Sequence, residues 1–143
     1  MCSSDLPDSQ GGATDVYIHD NTGNSGGLGY MSLAPLPRTP LHDITISHNH
    51  LWTGHFRITA SGGSGGTHRS GFVFTDNTTD TDSDYAGGYL ARTPLVFVPG
   101  WWDGVTITGN HDHGAGKATA VSVSPVATNV TVTPNTFVGF KAA

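Results

Sequence analysis

The chain has 143 residues, a formal net charge of −5 and only 12% charged residues, which favours one globular domain over a long-helix or charge-rich disordered chain. Its six Lys and Arg residues build no basic stripe, and no apolar run approaches the roughly 20 residues of a membrane helix. We therefore expect no nucleic-acid partner and no membrane partner. A single cysteine excludes a disulfide framework.

The chain opens with a polar segment, residues 1–14. Its first six residues, MCSSDL, look like translated sequencing-adapter read-through of the kind found in metagenomic assemblies. We expect residues 1–14 to be a disordered or artefactual lead, with the native N-terminus and any export signal further upstream. Residues 15–143 are then expected to form a single domain, the C-terminal portion of a longer protein.

A six-residue pattern with alternating apolar and polar residues ends in Asn and occurs five times. We call each copy a rung. The rungs begin 28, 28, 33 and 25 residues apart, and a period of roughly 20–50 residues is the signature of repeat architectures. In chain order the rungs are 16–21 (VYIHDN), 44–49 (ITISHN), 72–77 (FVFTDN), 105–110 (VTITGN) and 130–135 (VTVTPN).

The segments between the rungs predict short strands and turns. Residues 21–29, rich in Gly and Asn, and residues 111–117 are expected to be turns. Residues 78–88 form the longest polar stretch and are expected to be a surface loop inserted into one repeat. Strand-like segments precede four rungs, and no helical pattern of ten or more residues is present. These segments are 30–33, 56–60, 95–98 and 121–123.

Short strands without helices in every repeat predict an all-β fold, a parallel β-helix of about five coils stacked about 4.8 Å apart. Rung positions 1 and 3, such as Ile44 and Ile46, should point into the core. The five Asn residues should form one column, because stacked amides hydrogen-bond along the axis and Asn tolerates left-handed backbone geometry. The alternative is an antiparallel β-sandwich, whose strands recur every 8–12 residues but would not repeat Asn at one register five times.

Three segments resemble the pectate-lyase-like superfamily of right-handed parallel β-helices. Residues 16–21 lie where pectate lyases carry a Trp-Ile-Asp-His strand. Residues 44–57 (ITISHNHLWTGHFR) are similar to their strand, Asn, aromatic, then His-x-Lys. Residues 92–110 (RTPLVFVPGWWDGVTITGN) resemble their Arg-x-Pro-x-x-Arg-x-Gly segment.

The resemblance implies a polysaccharide lyase that cleaves acidic, uronate-containing polysaccharide by β-elimination, commonly with Ca²⁺, and implies a secreted or cell-surface location. In such enzymes an arginine abstracts the proton beside the uronate carboxyl and a neighbouring basic residue binds that carboxyl. Arg92 matches the first role, and Arg57 stands where the lysine of His-x-Lys would be. The sequence departs from the pattern at Phe97, in place of the second arginine, and at His19, where a calcium-binding Asp is expected.

Other candidate site residues lie near the same strands. Trp101 and Trp102 could stack on a sugar ring, and the alternative is a packed corner of the fold. His68 and Arg69, which lead into the third rung, are assigned to substrate binding. Arg57 and Arg92 lie on or near the strands that precede successive rungs, and so on adjacent coils. Two arginines on one face suit carboxylate binding, whereas the alternative for them is a pair of solvated side chains.

The acidic residues Asp80, Asp82 and Asp84 alternate along the polar loop. Their carboxylates could supply oxygen ligands to Ca²⁺, although a solvated acidic loop is the alternative. The pairs His48/His50 and His111/His113 would need further converging ligands to hold zinc. Asp20, His48 and Asp76 share the fifth rung position and predict a stabilising ladder of turns.

Two rival functions remain open at this point. The first is a non-catalytic glycan-binding β-helix, such as a phage tail-spike or cell-surface adhesin segment, and the second is a glycoside hydrolase on the same fold. We also expect self-association through uncapped coil ends, because an uncovered coil presents unpaired strand edges to solvent.

Overall fold

The computed structural model describes residues 13–27, 30–33, 41–54, 57–60, 69–80, 96–112 and 120–137. Within these ranges the regular secondary structure is β-strand and there is no helix, and accordingly no helix that could cross a membrane. In chain order the strands are β1 (Ala13–His19), β2 (Thr22–Gly27), β3 (Tyr30–Leu33), β4 (Leu41–Ser47), β5 (His50–Gly54), β6 (Arg57–Ala60), β7 (Arg69–Thr75), β8 (Thr78–Asp80), β9 (Val96–Val98), β10 (Trp102–Thr108), β11 (His111–Asp112), β12 (Val121–Val123), β13 (Thr128–Thr131) and β14 (Thr136–Phe137).

The strands form three parallel sheets, and each strand from β1 to β11 pairs with the third strand after it in the chain. The first sheet has the order β1-β4-β7-β10-β13, the second has β2-β5-β8-β11-β14 and the third has β3-β6-β9-β12 in the same sense. Each sequence repeat therefore gives one strand to each sheet in turn, except the last, which gives two in the described part of the chain. This parallel, all-β arrangement confirms the coarse fold prediction and argues against an antiparallel sandwich.

The rungs are in register across the first sheet. Ile44 pairs with Val16 on one side and with Phe72 on the other, and Val105 pairs with Phe72 and Val130. The expected inward positions are buried in the three central rungs, with exposed fractions of 1% or less. The buried residues of the first and third sheets form one hydrophobic cluster, and Phe137 of the second sheet packs against it.

Two left-handed positions frame each of the first four rungs, and the fifth rung has only the first of them. One lies directly before the rung and the other is its fifth residue. Asp, Asn, His and Gly occupy them, which are the residues that reach positive φ at the lowest cost. The residues are Asp15, Asp43, Gly71, Gly104 and Asn129 in the first column, and Asp20, His48, Asp76 and Gly109 in the second.

The second column corrects two expectations. The left-handed residue is the one before the rung Asn, not the Asn itself. Because a single residue turns the corner, extended pairing resumes at once, and residues 22–27, expected to be part of a turn, form β2 paired with β5. Pairing outweighs the low strand propensity of its Gly and Asn residues, since strand propensity depends strongly on context.

Smaller boundary differences follow the same logic. Strand β1 begins at Ala13, so it takes in two residues that the sequence assigned to the lead. The first residues of the expected loop after the third rung form β8. The first residues of the expected turn after the fourth rung form β11. The corner is complete at the rung Asn, so the next residue already pairs with a neighbouring repeat.

Candidate functional site

The candidate site lies where the third sheet leads into the first sheet, in the second and third repeats. Ile58 of β6 pairs with Val96 of β9, and Thr59 pairs with Phe97. Arg57 opens β6, one residue before Ile58. Arg92 lies outside the described residues, four positions before Val96 in the sequence. The register therefore brings the strand that begins with Arg57 next to the strand that follows Arg92. The side chains of both arginines lie outside the described part of the structure.

Phe97 occupies the middle of β9 between two buried valines. Val96 and Val98 are fully buried, whereas Phe97 is half-buried. Since successive side chains of a strand point to opposite faces, Phe97 lies on the outer face of the third sheet. The structure thus places an aromatic ring at the position where the resemblance expects a basic group.

The two tryptophans have opposite environments. Trp101 is 40% exposed and Trp102 only 1%. The ring of Trp102 packs against Phe72, with centroids 5.6 Å apart and planes tilted by 56°, a favourable arrangement for an aromatic pair. Trp101 is therefore accessible from solvent, whereas Trp102 belongs to the core, which agrees with the packed-corner alternative for one of the two.

Arg69 is buried at the start of β7. It pairs in register with Trp102, its backbone N–H donates to the carbonyl of Trp101 at 3.1 Å, and only 1% of its surface is exposed. Burial lowers the pKa of the Arg69 guanidinium, because desolvation penalises the charged form. A side chain so placed does not reach a polysaccharide at the surface. His68, assigned with it to substrate binding, lies outside the described residues.

Sequence reasoning missed the burial of Arg69, although a signal for it exists. Three residues before each rung stand Ala13, Leu41, Arg69, Trp102 and Ala127. Leu41 and Trp102 are as buried as Arg69. The left-handed residue between this position and the rung shifts the in-out alternation by one residue. Simple alternation counted back from Phe72 therefore gives the wrong face for Arg69.

The expected asparagine column is present as a hydrogen-bonded ladder. Each Asn donates from its backbone N–H and from Nδ2 to Oδ1 of the Asn in the next repeat. The Nδ2–Oδ1 distances along Asn21, Asn49, Asn77, Asn110 and Asn135 are 2.9, 2.8, 3.0 and 2.9 Å. The three central members are 1–3% exposed, which confirms the prediction of one stacked column and gives it a structural role.

A second buried polar contact lies in the second sheet. Asp112 of β11 is fully buried, and Thr79 Oγ1 donates to its Oδ1 at 2.6 Å. The pair is in register between β8 and β11. Sequence reasoning missed this acid, because it followed a rung and was assigned to a turn.

The remaining candidates are not brought together. Asp80 closes β8, with its side chain outside the described part, and Asp82 and Asp84 lie wholly outside it. In the described ranges no three His, Cys, Asp or Glu side chains converge as they would around a metal ion. His50 and His111 occupy one column, as expected, but Thr78 separates them.

His19 and Asp20 form an exposed contact at the end of the first rung. His19 Nδ1 lies 2.7 Å from Asp20 Oδ2, and both side chains are more than half exposed. Exposed pairs of this kind contribute little to stability. Comparison with known proteins adds no further constraint: no family model, no curated protein and no solved structure matches this chain.

Proposed function

We propose that the three sheets are the three faces of one right-handed parallel β-helix, with each repeat forming one coil. Each strand from β1 to β11 pairs with the third strand after it, which is what a chain that winds continuously around a common core would give. Parallel crossover connections are almost always right-handed, because of the twist of the strands. The shared hydrophobic cluster supports one interior.

On this β-helix, we propose a site that acts on acidic polysaccharide by β-elimination. The observation that carries the proposal is the pairing of Ile58 with Val96. Arg57 lies one residue before Ile58 in the sequence, whereas Arg92 lies four residues before Val96. The two arginines are therefore offset by three residues. Adjacent strands are about 4.8 Å apart and three residues span about 10 Å along a strand. Two long guanidinium side chains can close such a gap around one carboxylate.

In the proposed reaction, Arg57 binds the uronate carboxylate and Arg92 accepts the proton from the adjacent carbon. The electron pair left on that carbon forms a double bond to the neighbouring carbon as the glycosidic C–O bond breaks, and the departing oxygen takes up a proton from water. Arginine is ordinarily protonated. The second positive group lowers the cost of the neutral form by like-charge repulsion. Because Phe97 replaces the third basic group, we expect weak turnover.

A specific observation favours a second candidate, a glycan-binding β-helix without catalysis. Phe97 is half-buried on the outer face, and Trp101 is 40% exposed beside the same strands. Aromatic rings offer apolar faces for sugar rings, and no proton transfer is needed for that role. Under either candidate the location would be the cell surface or the extracellular space, where such polysaccharides occur.

The test separates the candidates by product. The protein is incubated with polygalacturonate, and the ultraviolet absorbance of unsaturated uronate is followed together with reducing ends. We expect absorbance that Arg92→Ala abolishes and Arg57→Ala reduces. Arg38→Ala, in the proline-rich sequence segment 34–40 and outside the described residues, is the matched loss of one positive charge. Reducing ends without absorbance would indicate a hydrolase. Binding without either product would leave the glycan-binding role and reject the lyase.

The calcium proposal has its own measurement. Asp80, Asp82 and Asp84 are proposed to supply oxygen ligands, the type that Ca²⁺ prefers. Ligand that binds only the folded state raises stability by mass action. Added Ca²⁺ should therefore raise the unfolding temperature, and replacing the three acids by Asn should remove the increase. An unchanged unfolding temperature in millimolar Ca²⁺ would reject this site.

A further inference from the structure

We infer that Ser70 is a nucleophile, activated by His42, that accepts the acyl group of small uncharged esters. The two residues lie on neighbouring strands of the first sheet, β4 and β7, each of which has a described strand on both of its sides. This site is separate from the proposed lyase site, because it lies on another sheet and supports another reaction.

The contact between the two side chains has the geometry of a nucleophile and its base. His42 pairs in register with Ser70, and His42 Nδ1 lies 2.7 Å from Ser70 Oγ. In the tautomer with the ring proton on Nε2, the Ser70 hydroxyl donates to Nδ1. A nucleophile within hydrogen-bond reach of its base is the first requirement of covalent catalysis. Both side chains are only partly buried, so a small reagent can reach them.

The backbone holds both members of the pair in the same way. The residue before each of them, Leu41 or Arg69, is 1–2% exposed. The residue after each of them, Asp43 or Gly71, has a positive φ. Since successive side chains of a strand point to opposite faces, the pair projects from the outer face of the sheet. The shared backbone geometry places the imidazole and the hydroxyl side by side.

A small open space lies next to the serine. Asp103 pairs in register with Ser70, so Gly104 lies close to the serine as well. A Cβ at Gly104 would meet only backbone atoms of Gly71, at 3.7 and 4.0 Å. The Asp43 carboxylate lies against Gly71 and bounds this space on one side. A short acyl group fits such a notch, whereas a long chain would extend into solvent.

The surroundings of the pair carry negative charge. Exposed carboxylates stand on three consecutive or nearby strands, at Asp15, Asp43 and Asp103. Asp103 Oδ1 accepts hydrogen bonds from Thr128 Oγ1 at 2.9 Å and from Asn129 Nδ2 at 2.6 Å, so its position is fixed. Like charges brought together are unfavourable and suppress binding of the wrong partner. The site therefore selects uncharged esters over anionic ones.

The reaction has two balanced steps. Ser70 Oγ attacks the ester carbonyl carbon while its proton passes to His42 Nδ1; the C–O bond to the alcohol breaks, and the departing oxygen takes that proton. A water molecule then gives a proton to His42 and attacks the acyl carbon, which releases the carboxylic acid as Ser70 regains a proton. A general base contributes about 10²–10⁴-fold to such a rate.

The experiment follows release of 4-nitrophenolate from 4-nitrophenyl acetate and locates the acetyl group by peptide mass spectrometry. Wild-type protein should carry one acetyl group on Ser70. His42→Gln should slow its formation by about 100-fold, and Ser70→Ala should abolish it. The 4-nitrophenyl ester of succinate, which carries a free carboxylate, should react at least about tenfold more slowly than the acetate.

Matched variants separate this site from general reactivity. Ser122→Ala and His19→Gln remove a half-buried serine and an exposed histidine elsewhere and should react as wild type. Ser70→Cys keeps a nucleophile at the same position and should be acetylated there, and urea midpoints equal to wild type show that the variants are folded. An unmodified Ser70 in wild type, an unchanged rate in His42→Gln or Ser70→Ala, or equal rates with the two esters would each overturn the inference.

Discussion

Asn49 Nδ2 donates to Asn77 Oδ1 at 2.8 Å, and both side chains are almost completely buried. The same Oδ1 accepts from the Asn49 backbone N–H at 3.1 Å. One amide oxygen thus satisfies two donors of the neighbouring repeat at a corner from which solvent is excluded. This contact fixes both the register of the sheets and the point at which each repeat turns.

Asn77→Ala should therefore be strongly destabilising. The Asn77 amide also donates to the Ile46 and Thr75 carbonyls at 3.0 Å, so its loss leaves several buried polar groups without a partner. Each such group costs about 1–3 kcal/mol, and we expect a total of about 3 kcal/mol or more in the free energy of unfolding, measured with urea.

Asn21→Ala is the matched control for that prediction. Asn21 begins the ladder and is only half-buried, so water can replace the lost hydrogen bonds. We expect a cost of about 1 kcal/mol. If the two substitutions lowered the free energy of unfolding equally, the hydrogen bonds inside the ladder would contribute no more to stability than those at its end.

The left-handed column before the rungs gives a second prediction. Gly71 has φ +69°, and a Cβ there would lie 2.5 Å from Asp43 Oδ1 and 3.1 Å from the Asp43 backbone N. Gly104 has φ +76°, but its nearest neighbour would be 3.7 Å away. Both Ala substitutions incur left-handed strain of about 1–2 kcal/mol, and only Gly71→Ala adds an overpacking cost of about 1–3 kcal/mol.

The measurement is the difference in urea midpoint between Gly71→Ala and Gly104→Ala. A rescue variant sharpens it: Gly104→Asn should be close to neutral, because Asn129 adopts the same backbone conformation at the equivalent position. If Gly104→Ala proved as damaging as Gly71→Ala, the close approach to Asp43 would not be the cause.

The sequence predicted the parallel repeats and the asparagine column because both follow from one recurring pattern. Ile44, Phe72 and Val105 recur with Asn49, Asn77 and Asn110 at a fixed offset, and stacking is the arrangement that buries all of them. The second-sheet strand of each repeat was less visible. The residues of β2 read as a turn because their strand character comes from pairing with β5 and not from their own propensity.

The candidate site could be predicted only in part. The sequence placed the strand of Arg57 beside the strand after Arg92, and the pairing of Ile58 with Val96 agrees. The different environments of Trp101 and Trp102 were not predictable, because they depend on the residue at which β10 begins. The burial of Arg69 depends on the positive φ of Gly71, a backbone feature that hydrophobic alternation does not report.

Arg69 gives a third prediction, on the pH dependence of stability. Burial lowers the pKa of its guanidinium, and the same desolvation should lower the pKa of a lysine placed there by Arg69→Lys below its usual value of about 10.4. Between the lowered folded pKa and the unfolded pKa, the unfolded state binds more protons. Stability of Arg69→Lys should therefore rise with pH in this window, relative to wild type.

Urea unfolding at pH 7, 8, 9 and 10 measures this slope. Tyr17→Lys is the control, because Tyr17 is 65% exposed and a lysine there should titrate alike in the folded and unfolded states. If the difference in the free energy of unfolding between Arg69→Lys and wild type did not change with pH across this range, the site would not disfavour a buried charge.

The two tryptophans provide the last prediction, which separates a ligand contact from a core contact within one dipeptide. Trp102→Ala removes a ring that is 1% exposed and packed against Phe72, and such truncations cost about 3–5 kcal/mol. Trp101→Ala removes a ring that is 40% exposed, so its effect on the free energy of unfolding should be about 1 kcal/mol or less.

If Trp101 stacks on a sugar, its loss should weaken binding of polygalacturonate in calorimetry, by about tenfold for each 1.4 kcal/mol lost. Trp101→Phe should restore part of the affinity, since it keeps an aromatic face. Unchanged affinity in Trp101→Ala, with the fold intact, would remove this corner from the glycan site and leave the outer face around Phe97 to account for binding.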